Sequence, residues 1–172
     1  SSGWLFFNIV SQLPAGVYQL DEETCPWGDS QNDLIALAWG LGSYRFNAYY
    51  DHPASVAQWL VPTDVDNALL DQWLSSFYLA QDLFNTPCQD MGPGDLQEAV
   101  LHVAKECGAD MTVIEGDQLL TDNYPSIHAV GRAAQRAPRL IDMTWGDESA
   151  PKITLVGKGV CFDTGGLDLK PA

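Results

Sequence analysis

The residues most able to do chemistry are gathered at the end of the chain, in Ile153-Thr-Leu-Val-Gly-Lys158-Gly-Val-Cys-Phe-Asp163-Thr-Gly-Gly-Leu-Asp168-Leu-Lys170-Pro-Ala172. The β-branched, apolar run from Ile153 to Val156 reads as a buried strand, and it empties at Gly157 into a segment rich in glycine, lysine and aspartate. In open α/β sheets, ligands meet the protein just beyond the carboxyl ends of strands, so Lys158 and Asp163 stand where a ligand would arrive. Glycines on either side let the backbone turn sharply and approach whatever is bound. The competing reading is a glycine-rich turn with solvated charges.

A resemblance separates the two. The run Val156-Gly-Lys-Gly-Val-Cys-Phe-Asp-Thr-Gly-Gly-Leu-Asp-Leu-Lys170 resembles the metal-binding stretch of the leucyl (cytosol) aminopeptidase family: Val-Gly-Lys-Gly, then Phe-Asp-Ser/Thr-Gly-Gly, then a lysine. It continues upstream through Asn85-Thr86-Pro87, Asp90-Met91-Gly92-Pro93 and Tyr124-Pro125 to Leu140. Carried over residue by residue, it implies that Lys158 and Asp163 are metal ligands and that Lys170 acts on the substrate. It also implies two divalent ions, manganese or zinc, peptide substrates, a cytoplasmic homohexamer, and bicarbonate bound in the full-length protein. The chemistry asks for these residue types. Lysine ligates a metal only as the neutral amine, which burial and neighbouring cations favour. Aspartate supplies hard anionic oxygen. Lys170, held extended by Pro171, would add positive charge where an oxyanion develops.

The family completes its centre with a further aspartate and a later Asp-x-Glu-x-Arg stretch, and neither is present in these 172 residues. The chain opens Ser-Ser-Gly without an initiator Met and stops two residues after Lys170, so both ends are read as cut. The expectation is an N-terminal portion of an aminopeptidase, inactive by itself.

Other residues fit plainer roles. Asp168 reads as a solvated loop acid and Cys161 as a packing residue. His52, His102 and His128 lack the H-E-x-x-H spacing of a histidine-built zinc site. His102 shares a helical face with Glu98 and Glu106, as an ordinary solvated face would. Asp163-Thr-Gly also resembles the aspartic protease motif, but there is no second copy and the chain reads as helix-rich. A phosphate-binding loop is excluded because Lys152 occupies the position of its first glycine and no Ser/Thr follows Lys158. A non-catalytic scaffold or regulatory module of the same fold is the alternative from a different class.

Composition narrows the partners. Lys and Arg total 8 against 23 Asp and Glu, a net charge of −15, so phosphate backbones and anionic membranes would repel this surface and neither nucleic acid nor membrane is expected as a partner. No apolar run approaches the ~18 residues of a membrane span, and no signal peptide is visible. The 4 cysteines are scattered, which suits reduced thiols better than a disulfide scaffold.

The elements that must position the terminal segment read as an α/β protein: the end of a small N-terminal α/β domain, a linking helix, and the first part of a metallo-aminopeptidase catalytic domain with a mixed sheet. The boundaries are 1–61 for the partial N-terminal domain, 62–85 for the linking helix and 86–172 for the truncated catalytic domain. Within them, strands are predicted over 4–10 and 16–20, and a helix from Asn32 or Asp33 to about Phe46. Gly42-Ser-Tyr-Arg-Phe46 resembles the end of the family's N-terminal domain. Thr63 is read as the cap of a helix over 63–85, with Val65, Leu69, Trp73, Phe77 and Phe84 as its core stripe. A helix over 95–107 ending at Gly108, a strand over 111–115, a helical turn over 117–122 and a helix from Pro125 to about Arg136 follow. Strands over 140–145 and 153–156 are predicted to pair as a hairpin across the acidic turn 146–149.

Overall fold

The computed structural model describes residues 5–21, 31–50 and 57–161. The chain divides into two compact units, Ser1–Asn85 and Thr86–Ala172.

The first unit starts with α1 (Leu5–Ile9), continued by a 3-10 turn over Val10–Gln12. The strand predicted here is a helix because Phe6 and Val10, one turn apart, share the inward side: Val10 is 1% exposed and Phe6 packs on the cluster around it. A short parallel pair follows, β1 (Gly16–Tyr18) with β2 (Ala57–Trp59), in the register Gly16↔Ala57 to Tyr18↔Trp59. Across it lies α2 (Asn32–Ser43), whose Ile35, Ala36, Ala38, Trp39 and Leu41 are buried. Trp39 stands between Tyr18 and Trp59, with ring centroids 6.0 and 5.7 Å away, at the tilted angles aromatic rings favour.

The long helix α3 spans Asn67–Asn85. Its cap is Asp66 rather than Thr63: the Asp66 carboxylate accepts the amides of Ala68 and Leu69 at 3.0 and 3.1 Å, while 62–65 forms a turn closed by Val65 N–H on Pro62 O. The predicted stripe is also corrected. Val65 is buried, but Leu69, Trp73, Phe77 and Phe84 are exposed, and the residues packed on the core are Leu70 and Leu74. One position round the helix, Tyr78 donates its hydroxyl hydrogen bond to Gly40 O of α2. Two apolar stripes run side by side on α3, and the first unit uses the one that meets α2.

Backbone proximity fixes α2 against its neighbours. A Cβ on Gly42 would fall on the carbonyl oxygen of Phe7 in α1, and one on Gly40 would fall on the Leu74 side chain. Side chains can shift, but a backbone carbonyl within a helix cannot easily do so. Gly42→Ala is therefore expected to lower stability by about 1–3 kcal/mol, read as a lower urea midpoint at unchanged slope.

The second unit opens with α4 (Pro93–Cys107). Pro93 sits at N1, and Asp95 accepts the Gly92 amide at 2.8 Å. The helix ends at Gly108, as predicted, in the left-handed conformation with φ 66°. Next come β3 (Asp110–Glu115), α5 (Gln118–Thr121), α6 (Pro125–Gly131) and β4 (Arg139–Thr144). β4 pairs antiparallel with β3, from Asp110↔Thr144 to Glu115↔Arg139, and not with the run at 153–156. Parallel and antiparallel pairings thus both occur, in separate two-stranded sheets of an α/β protein. Arg139 fastens the layers, reaching Glu115 of β3 at 2.7 Å and Gln97 of α4.

Residues 150–160 form neither helix nor strand, and Ile153, Leu155 and Val156 are 85%, 92% and 92% exposed. The buried strand expected there is absent because a strand needs a neighbouring ladder, and among the described residues none adjoins this run. Among the described residues, no helix is long and apolar enough to cross a membrane.

Candidate functional site

The described stretch that leads to the candidate ligands, residues 145–159, touches α4 near both of its ends. At its start, Trp145 donates its indole N–H to Cys107 O, at the C-terminal end of the helix, at 3.0 Å. At its far end, Gly159 lies against the Leu96 side chain in the first turn of α4. Between them, the Gly146–Ala150 turn is held by Asp147, whose carboxylate accepts the amide and hydroxyl of Ser149 at 2.8 and 2.7 Å. Those bonds lower the Asp147 pKa from its ordinary value, the amide contributing most.

Lys158 is exposed, lies in this irregular stretch, and makes no ion pair among the described residues. Asp163 and Lys170, like Asp168, lie outside the described residues. Among the described residues, no group of three or more His, Cys, Asp or Glu side chains is arranged to hold a metal ion. His52 is also outside them. His102 pairs with Glu106 at 3.2 Å on an open face, and His128 meets Asp117 at 3.2 Å, so both histidines have local partners away from the terminal loop.

Where the loop reaches α4, several polar groups converge. Arg136 donates to Asp95 at 2.7 Å and to the carbonyl of Gln89, also at 2.7 Å. Gly92 leaves room for its side chain, since a Cβ there would strike the arginine. Asp95 thus serves two donors, Gly92 N–H and Arg136, and the guanidinium ties the turn 87–90 to the start of α4. Cys161 settles half-buried beside this brace, and burial pushes its thiol pKa up. Asp95 and Cys88 add to the rise, while Arg136 opposes it. Neither Arg136 nor Asp95 stands out in the sequence, because 41 positions separate them and no local pattern announces a bond at that range.

Comparison with known proteins places these features in a family. Residues 78–172 match the cytosol aminopeptidase family, catalytic domain, and residues 1–62 match the M17 aminopeptidase, N-terminal domain. A probable cytosol aminopeptidase of Corynebacterium efficiens is 36% identical over 157 residues, covering 84% of this chain and 31% of its own. Peptidase B of Pectobacterium carotovorum is 32% identical, covering 81% of this chain and 34% of its own. The crystal structure of cytosol aminopeptidase from Coxiella burnetii is 47% identical, with a TM-score of 0.88 over 98% of this chain and 36% of that one. The bottromycin maturation enzyme BotP in complex with Mn is 28% identical, with a TM-score of 0.77 over 100% of this chain and 39% of that one. The chain therefore spans about a third of the length of the relatives it matches.

Proposed function

Because the chain belongs to the cytosol aminopeptidase family, we propose that it supplies the N-terminal domain and the start of the catalytic domain of a metal-dependent aminopeptidase. The full-length protein releases N-terminal residues such as leucine from peptides. The observation that carries this reading is the Gly157-Lys158-Gly159 … Asp163-Thr-Gly-Gly … Lys170 run inside the residues matched to the catalytic domain. We assign 1–61 to the N-terminal domain, 62–85 to the linking helix and 86–172 to the catalytic domain, a division supported by the compact units meeting between Asn85 and Thr86. The protein is cytoplasmic and works as a homohexamer.

Donor chemistry fits a pair of divalent ions, with the amine of Lys158 unclaimed by any acid among the described residues and Asp163 contributing carboxylate oxygen. The Mn held by BotP supports manganese, with zinc as the other candidate. When bound, such a pair supplies water activation and carbonyl polarisation. The chain's own share is to offer the Lys158 amine and the Asp163 carboxylate as ligands, and to place the Lys170 ammonium beside the developing oxyanion. One lysine and one clear carboxylate cannot hold two ions tightly, so the 172-residue span alone is expected to be inactive.

The test is hydrolysis of a leucine chromogenic amide by the full-length protein and by this span, with manganese added and then chelated. Activity confined to the full-length protein and lost to chelator supports the reading. Activity in the span alone would require a different metal assignment. An inactive full-length protein would favour a scaffold or regulatory module.

A further inference from the structure

We propose that Arg136 is a positioning residue for the candidate ligand Lys158, because it sets the first turn of α4, on which the loop comes to rest. The proposal rests on the reading of Lys158 as a ligand, whereas the contact it invokes does not. That contact is local. A Cβ on Gly157 would meet nothing within 4 Å, while one on Gly159 would stand 2.9 Å from Leu96 Cδ2. Residues 150–160 are exposed, and Cys161, just beyond, is half-buried. Lys158 therefore projects from the residue next to the point at which the loop is seated.

The seat is only as well defined as the direction in which Leu96 points. Helical residues lie about 100° apart around the axis, so Asp95 and Gln97 stand to either side of Leu96, about 200° from each other. Arginines hold both. Arg136 donates to the Asp95 carboxylate and Arg139 to the Gln97 side-chain carbonyl, and two anchors so spaced stop α4 from rolling about its axis.

The anchors differ in what they fasten to. The Arg139 side chain is 12% exposed and fixed to Glu115 of β3, so it belongs to the packed layer of helix and sheet. The Arg136 side chain is 49% exposed and bridges Asp95 to Gln89 O in the turn 87–90, each at 2.7 Å. Asp95 also accepts the Gly92 amide at 2.8 Å, so one guanidinium ties the entry turn, the start of the helix and the residue beside Leu96 together. Truncating Arg136 therefore opens little core but frees the seat.

Nuclear Overhauser effects in the 172-residue chain read the seat without metal. The native chain should show one between the Leu96 methyls and the Gly159 α protons. Arg136→Ala should abolish it while the cross-strand contacts of Val113 with Ile141 persist. Arg136→Lys keeps the charge without the planar fork, so it should weaken the same contact and carries the test if the alanine variant does not fold. In the full-length protein, Arg136→Ala is expected to lower manganese affinity by ~10- to 100-fold, as removal of a residue that holds a ligand does. Leu96→Ala should act in the same direction, and the double variant should bind no worse than the weaker single, because both act through one contact.

The proposal is overturned if the native contact is missing, if it survives in both Arg136 variants, or if the β3–β4 contacts vanish with it. It is also overturned if the two single effects multiply in the double variant. A lost contact with unchanged manganese affinity would instead overturn Lys158 as a ligand, so the two readings fail separately.

Discussion

Asp163→Ala in the full-length protein is expected to lower metal affinity by more than ~100-fold, since even residues that only support a ligand cost 10–100-fold when removed. Metal content measured after gel filtration should fall with it, and excess manganese should restore part of the activity. Asp163 is the one clear anionic donor in the candidate set, so its loss removes the carboxylate oxygen that offsets the divalent charge. Asp168→Ala is the control: five residues further on and read as a solvated acid, it should leave metal content unchanged. Equal metal loss in both variants would mean that the segment as a whole, rather than one carboxylate, holds the ions.

The fold was legible wherever local chemistry decides it. Gly108 ends α4 because glycine enters the left-handed conformation at little cost, and Pro125 opens α6 because its ring fixes φ near the helical value. The errors lie where two local patterns compete. Residues 5–10 are apolar almost throughout, so neither period shows until Phe6 and Val10 are seen to share the inward side. Thr63 and Asp66 are both capping types, and Asp66 prevails because its carboxylate reaches two amides. On α3 the aromatic stripe outweighs the aliphatic one in the sequence, yet Leu70 and Leu74 meet α2, whose Gly40 permits the close approach.

The site divides differently. The motif from Gly157 to Lys170 is visible because it consists of residue types at fixed short spacing, which a sequence records directly. Its surroundings are not visible. The Arg136 brace depends on Gln89, Gly92 and Asp95 arriving together through tertiary packing. The run Ile153–Val156 has the composition of a buried strand, but composition states what a segment can bury and not which neighbour covers it. In the second unit the fully buried apolar residues are Ala104 and Leu119 among those described, while Trp145 is 76% exposed. That balance suits a domain of which the relatives carry considerably more.

Lys170→Ala in the full-length protein should separate catalysis from metal binding. An ammonium that stabilises an oxyanion acts chiefly in the transition state, so its removal should lower kcat by ~100- to 1,000-fold while metal content and KM change little. Lys170→Arg keeps the charge but replaces a compact ammonium with a planar fork, and is expected to recover only part of the rate. The contrast with Asp163→Ala then assigns the two residues: a variant that keeps its metal and loses turnover places Lys170 at the reacting carbonyl, whereas parallel loss of both would make it a ligand. Normal turnover in Lys170→Ala would remove it from the reaction altogether, leaving Lys158 as the one lysine of the motif with chemistry to do.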